Sequence, residues 1–454
     1  MVGSAPRSTI SRLATATLLV ATFAGISAIG GAADIVNPQP RTAMVVGFLL
    51  LAAFTVGQGF KGARLPKITG YLVVGILVGP EVLGLLTASD LDRIRLLNVL
   101  AVGVIALIAG GELRPAMLRA RGRIILLMLL AEVTVVFLLV SAALFVFRAS
   151  VPFLAGWPLG AAAVLIIVFA AVATVHSPAV TIALLDEQKP GGPLTSTTLG
   201  VVVAADVLVV LMVTLALAGA KTLLAGGGVE AGFVLRLAWE LIGAILLGAV
   251  AGVVIDLYLR LGGGHLVLFV VFLVFFGNAI AQAVHVEFML FMLSAGFFIE
   301  NVSPVDGEPL LDALHSITAP AYALFFALAG ASMHLEELRL LWPLALLVIG
   351  VRACGLWLGC RLGARLAGAE EVVRKYTWMG LVSQAGVALG LVTVVSRVLP
   401  EAGRGMLTLF LAMIAIHELV GPILFRTALI RSGEAGRGAV GATRAARAVP
   451  VPGR

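Results

Sequence analysis

Apolar runs close to twenty residues long, separated by short polar or basic breaks, fill this chain from Leu13 to Ile430. About 20 apolar residues carry an α-helix across the hydrocarbon core of a bilayer. By that rule the pattern predicts about fourteen spans, at 12–33, 43–60, 67–86, 95–113, 122–147, 158–186, 195–220, 233–259, 265–284, 287–301, 312–334, 339–366, 375–398 and 404–430. The runs are too long and too evenly apolar for barrel strands, which alternate in polarity. Helices are then the remaining way to satisfy backbone groups in lipid. The expected class is an all-α polytopic membrane protein. Composition strengthens this: 61% of residues are hydrophobic and 12% are charged, about half the charge of a soluble domain. The 52 glycines suit close helix–helix approach.

Three stretches follow from the same pattern. Residues 1–42 hold an extra N-terminal helix or a signal-like segment, with Arg7 and Arg12 ahead of an apolar run ending in small residues. That run is uncharged from Leu13 to Ala33, longer than a usual signal core, which favours a retained helix. Residues 43–430 form the main membrane domain. Residues 431–454, rich in Gly, Ala and Arg, read as a disordered basic tail. With the N-terminus placed inside, most of the 31 Lys and Arg residues fall on the inner side. The positive-inside rule then puts both termini in the cytoplasm, in a cell (inner) membrane, with the tail near anionic lipid. The lipid bilayer is the expected surroundings, and no nucleic-acid partner is expected.

Internal similarity is weak but ordered. IALIAGGELRPAMLR (Ile105 to Arg119) recurs as FFALAGASMHLEELR (Phe325 to Arg339), sharing an Ala-Gly pair and a closing Leu-Arg. The preceding helices match in form, GILVGPE from Gly75 against GFFIENV from Gly296. An odd number of spans separates the copies, so they run in opposite directions. This predicts two inverted five-helix repeats, about 67–220 and 287–430, an arrangement of alternating-access transporters. In the same register Glu132 falls opposite Arg352, each a lone charge among apolar residues. A buried ion pair is the cheapest resolution, and breaking it is expected to cost roughly 3–5 kcal/mol. The fourth helix of each repeat carries an interruption: TVHSPAVT with His176 and Pro178 in mid-span, and SQAGVALG with Ser383, Gln384 and Gly386. Proline removes a helical hydrogen bond, and polar or Gly-rich sequence loosens the ladder. Paired interruptions in inverted halves point to a midplane ion site formed by broken helices.

The candidate chemistry centres on Asp206, the one carboxylate in the apolar stretch from Thr195 to Ala220. A charge there costs roughly 2.5–3.5 kcal/mol on insertion scales, so it is expected to face partners, a cavity or an ion path. Thr174, Ser177 and the carbonyls around His176 are candidate oxygen ligands for a hard monovalent cation. His176 is expected to hydrogen-bond at the helix break, with a pH-sensing role as the alternative. Glu418, in the last helix, is the counterpart of Asp206: a second ion-path carboxylate, or one paired with His417 or a backbone donor. Glu300 and Asn301 sit at a helix end where a funnel would open. Cys354 and Cys360 suggest no disulfide and no resident metal site. No cofactor is expected, and no nucleophile–base set or phosphate loop argues for an enzyme.

Several stretches together resemble the monovalent cation:proton antiporters of the Kef-type branch: LPKITGYLVVGILVGPEVLG, IAGGELRP, VHSPAVTIALL, AADVLVVLM, FFALAGASM and SQAGVALGL. Order and spacing carry the resemblance, which runs from about residue 43 onward. It implies the NhaA-type fold, with a dimerisation domain and a core holding two crossed broken helices. It further implies a homodimer that exchanges Na+, Li+ or K+ for H+ by an elevator-like movement. Asp206 then matches the family's essential aspartate. The sequence departs from pattern just before it, where Ala205 replaces a second Asp or an Asn, and near Leu356, where some relatives have a lysine. One titratable site competing for one cation or one proton implies electroneutral exchange. Two other functions fit the same fold: an Na+-coupled symporter for an organic anion, and a channel or sensor that no longer exchanges ions.

Overall fold

The computed structural model describes residues 38–113, 115–225, 231–262, 264–305 and 307–437. The expected helix 12–33, and the tail beyond Arg437, lie outside the described residues. Those described are helical, with no strand among them. Among the described residues, nine helices are long and apolar enough to cross a membrane, and four shorter apolar ones join them: Lys67–Val78, Leu96–Gly111, Phe288–Asn301 and Gly386–Val398. The chain divides into two compact units, one formed by the described residues up to Ala101 with Ile317–Met333, the other by Val102–Ser316 with the residues from His334 on.

In the first unit, α1 (Pro38–Gly62) packs on α2 (Lys67–Val78). The expected span 67–86 is helical only to Val78, because Gly79-Pro80 follows; a residue before proline is pushed out of the helical region. Thr87 then starts the short helix α3 (Ala88–Arg93) with a capping box, its Oγ1 accepting from the Asp90 amide. Gly75 lies so close to Ala327 that a Cβ would collide with the Ala327 carbonyl, and Gly330 lies likewise on Leu72.

The second unit contains the same pattern between different helices. Gly110, in α4 (Arg95–Glu112), lies against Leu293, and Gly296 lies against Leu107. In the sequence register, Gly75 corresponds to Gly296, Gly330 to Gly110, Ala327 to Leu107 and Leu72 to Leu293. Each contact of one unit therefore has its counterpart in the other.

The rest of the second unit is built on two long helices, α5 (Pro115–Val146) and the helix Leu335–Leu366. Gly355, Gly359 and Gly363 recur every fourth residue and meet the α5 backbone at Val136, Glu132 and Met128. A Cβ on Gly359 would stand 2.5 Å from the Glu132 Cα. Without a hydrophobic effect in lipid, such small-residue stripes let backbones approach, and this one fixes Glu132 against the helix that carries Arg352. Gly359→Leu should force the helices apart, lowering stability by about 1–3 kcal/mol. The check is the thermal midpoint of the purified protein in detergent; an unchanged midpoint would contradict the stripe.

Between these lie α6 (Leu159–Ala173), α7 (Pro178–Gln188) and α8 (Pro193–Ala225). After α9 (Ala231–Arg260), α10 (Leu266–Val284), α11 (Phe288–Asn301), α12 (Glu308–Ala331) and α13 (Leu335–Leu366) come α14 (Glu371–Gly380), α15 (Gly386–Val398) and α16 (Pro400–Arg431). The expected spans 158–186 and 375–398 are thus each two helices separated by a non-helical segment. The apolar core joins α5, α6, α8, α13 and α16, with Phe169 stacked on Phe153 and tilted against Phe410. Of the stretch expected to be a disordered tail, residues up to Arg437 are described, and Glu434 is buried; its partners are given below.

Candidate functional site

The two non-helical segments lie against each other. α6 ends at Ala173 and the chain resumes at Pro178, which occupies the first helical turn of α7, where its missing N–H costs nothing. Ser177 caps α7, its Oγ accepting from the Val180 amide at 3.4 Å. The Thr174 hydroxyl donates to the Ala171 carbonyl at 2.7 Å. α14 ends at Gly380 and α15 starts at Gly386. Breaking a helix frees carbonyls that lipid cannot satisfy, and here they converge. The Gln384 amide donates to the carbonyls of Ala173 and Val175, both at 3.1 Å.

Arg352 closes the crossing. Its Nε donates to Ala173 O at 2.7 Å, Nη1 to Val382 O at 2.7 Å, and Nη2 to Val175 O at 2.8 Å and Leu381 O at 3.2 Å. The C-terminal ends of α6 and α14 carry the negative poles of their helix dipoles, so a guanidinium there is favoured by charge as well as by its donors.

Glu132 and Arg352, expected as a buried ion pair, meet here through His176. Both residues are fully buried, but they form no direct bridge. Glu132 Oε1 lies 2.9 Å from His176 Nε2, while His176 Nδ1 lies 2.8 Å from Leu381 O and 3.3 Å from Arg352 Nη2. The freed carbonyls outcompete the carboxylate for the guanidinium, and the imidazole links the two charges. His176→Ala should leave the buried Glu132 carboxylate unpaired and cost about 1–3 kcal/mol. His176→Gln, which keeps a donor, should recover part of that loss. Equal thermal midpoints for wild type and His176→Ala would rule this out.

Asp206 stands mid-way along α8, partly buried, with Oδ1 enclosed and without a hydrogen-bond partner. Glu132 Oε2 and Gln384 Oε1 are likewise buried and unpaired. Glu287 is near enough to act electrostatically on Asp206; it caps α11, its carboxylate accepting from the amides of Met289 and Leu290. Ser383 packs directly on Gly421 of α16, where a Cβ would overlap its hydroxyl. Glu418 is buried in α16, and the adjacent His417 Nδ1 is buried without a hydrogen-bond partner. Glu300 is half-buried at the end of α11, and Asn301 spends its amide on the carbonyls of Leu113 and Phe297, both at 2.9 Å.

Sequence reasoning missed three groups. Glu287 reads as an ordinary helix start. Arg121 reaches both Thr197 of α8, at 3.2 Å, and Glu370 at the start of α14, at 2.5 and 3.1 Å. Its hydrogen bonds hold the Glu370 carboxyl below the usual range, so the pair survives to lower pH than a free carboxylate would allow. Glu434 sits in a Gly-rich stretch with no periodic signal.

The sodium/hydrogen exchanger transmembrane family model matches residues 46–431. The structure resembles that of the sodium proton antiporter MjNhaP1 from Methanocaldococcus jannaschii at pH 8, with a TM-score of 0.62 and 16% identity, covering 88% of this chain and 99% of that one. An electron-microscopy structure of the same antiporter gives a TM-score of 0.63 and 14% identity, covering 90% and 98%. No curated protein matches the sequence.

Proposed function

The chain belongs to the sodium/hydrogen exchanger family, and from that premise we propose that it is a secondary antiporter trading one monovalent cation for one proton at Asp206. The observation that carries this is the unpaired, enclosed Oδ1 of Asp206 in a membrane-spanning helix. A desolvated carboxylate is neutralised by a proton or by a hard cation, and one site holds one at a time. Thr174 and Ser177 serve as the neutral oxygen ligands, the Val175 carbonyl beside His176 being taken by Arg352 and Gln384, with Glu418 and Glu300 as the ion path. Sodium, named for the structural relative, is the first cation to test, with Li+ and K+ beside it.

The reciprocal glycine contacts support inverted repeats over about 67–220 and 287–430, and with them alternating access. The nine long and four short apolar helices, with 12–33 added, make up the proposed crossings of the 43–430 domain and its extra first helix. Both termini are assigned to the cytoplasm of the cell (inner) membrane, the protein to a homodimer, and the chemistry to transport, not to enzymatic turnover.

With Ala205 before Asp206 and the buried Leu356 on α13, no second acid–lysine pair adds a charge. Exchange is therefore electroneutral. Proton movement in everted vesicles, started by each cation with and without a clamp on membrane potential, tests this. Rates independent of the clamp support it; a clamp-dependent rate contradicts it.

A further inference from the structure

The helix that carries Asp206 has no cap of its own. Pro193 opens α8, and the residue before it is Gly192, which has no side chain to offer the free amides of the first turn. The cap comes from 240 residues away. α16 ends at Arg431, and Gly433 turns the chain with φ +72, its amide bonded to Ile430 O at 3.0 Å. That turn swings Glu434 sideways onto α8. Glu434 Oε1 accepts from the Leu194 amide at 2.8 Å, and Oε2 accepts from the Thr195 amide at 2.8 Å and the Thr195 hydroxyl at 2.7 Å. Both oxygens are thus used, and the residue is buried. Backbone bonds flank the contact, from Gly191 N to Glu434 O at 3.1 Å and from Gly436 N to Gln188 O at 2.9 Å. Gly192 is part of the fit: its φ is +154, and a Cβ there would stand 2.5 Å from the Glu434 Cδ.

We infer that Glu434 is a positioning residue for exchange: its carboxylate, delivered from beyond the last helix, caps the Asp206 helix and latches it to the Glu418 helix. Three features carry this. A carboxylate suits the positive end of a helix. Asp206 lies eleven residues from Thr195, about 16 Å along a continuous helix, so a fraying or sliding first turn is transmitted to the carboxylate. The latch also joins the loop between α7 and α8 to the end of α16, so the break at Pro178, the Asp206 helix and the Glu418 helix share one fixed end.

The consequence for transport rests on the Asp206 reading, whereas the latch itself does not. Two measurements on the full chain separate them. Hydrogen–deuterium exchange of purified Glu434→Ala should show faster exchange in the peptide holding Leu194 and Thr195, and no change at the end of α5. In vesicles, the cation concentration for half-maximal proton movement should rise about fivefold, the equivalent of a lost cap at ~1 kcal/mol, with the maximal rate little changed. Glu434→Gln, which keeps a carbonyl acceptor, should restore part of both. Unchanged protection at Leu194 and Thr195 overturns the latch. Faster exchange there with an unshifted half-maximal concentration overturns the positioning role while leaving the cap. If Glu434→Ala does not insert, Glu434→Gln is read in its place by the same criteria.

Discussion

Asp206→Asn should abolish cation-induced proton movement while leaving the protein inserted and folded. The amide has the shape of the carboxyl but cannot ionise, so it cannot alternate between a proton and a cation. Loss of a full charge at a desolvated site forfeits several kcal/mol of attraction for the cation, so the rate should fall by at least about a hundredfold. Stability should move the other way or not at all. The Oδ1 of Asp206 is enclosed and unpaired, and removing an uncompensated charge from such a place relieves a cost. Background transport together with an equal or higher thermal midpoint is the expected pair of results. Retention of wild-type transport by Asp206→Asn would sink the site assignment. A collapsed midpoint would show that the carboxylate is structural.

Arg352→Leu should have the largest effect on stability, with the opposite logic. Its guanidinium satisfies four carbonyls from two interrupted helices. Leucine would leave those carbonyls to Gln384 and His176, and would leave Glu132 without a nearby positive charge. Breaking a buried charged network of this kind costs roughly 3–5 kcal/mol. Arg352→Lys should rescue only part, because one ammonium cannot reach Ala173 O and Val382 O in the geometry of a planar fork. The measurement is the thermal midpoint and the yield of folded protein from membranes. Equal midpoints for Arg352→Leu and wild type would contradict the crossing as the keystone of the second unit.

The helical class and the family were legible in the sequence because lipid imposes long apolar runs and because several short stretches kept family order. The two interruptions were signalled by residues that apolar helices avoid, Pro178 in one and Ser383-Gln384 in the other. Lone charges marked Glu132 and Arg352. Their hydrogen-bond partners were hidden, since a sequence shows that a buried charge needs compensation but not whether a carboxylate or a freed carbonyl supplies it. His176 was readable as a group at a break, yet its place between the two charges depends on how α5, α13 and α14 meet. The short α2 followed from Gly79-Pro80, and a hydropathy window runs straight over that boundary. Glu434 had no local signal at all: its contacts lie across the chain, and its neighbours are Gly, Ser and Ala.

The central claim is that one carboxylate exchanges a cation for a proton. Its most direct test is uptake of labelled Na+ into proteoliposomes holding the purified protein, driven by an imposed pH gradient with the membrane potential clamped at zero. The account predicts uptake against the Na+ gradient for wild type, equal protons released per Na+ taken up, and none for Asp206→Asn. Gradient-driven uptake of the same size in wild type and Asp206→Asn, or none in a folded wild type with Na+, Li+ or K+, would contradict it.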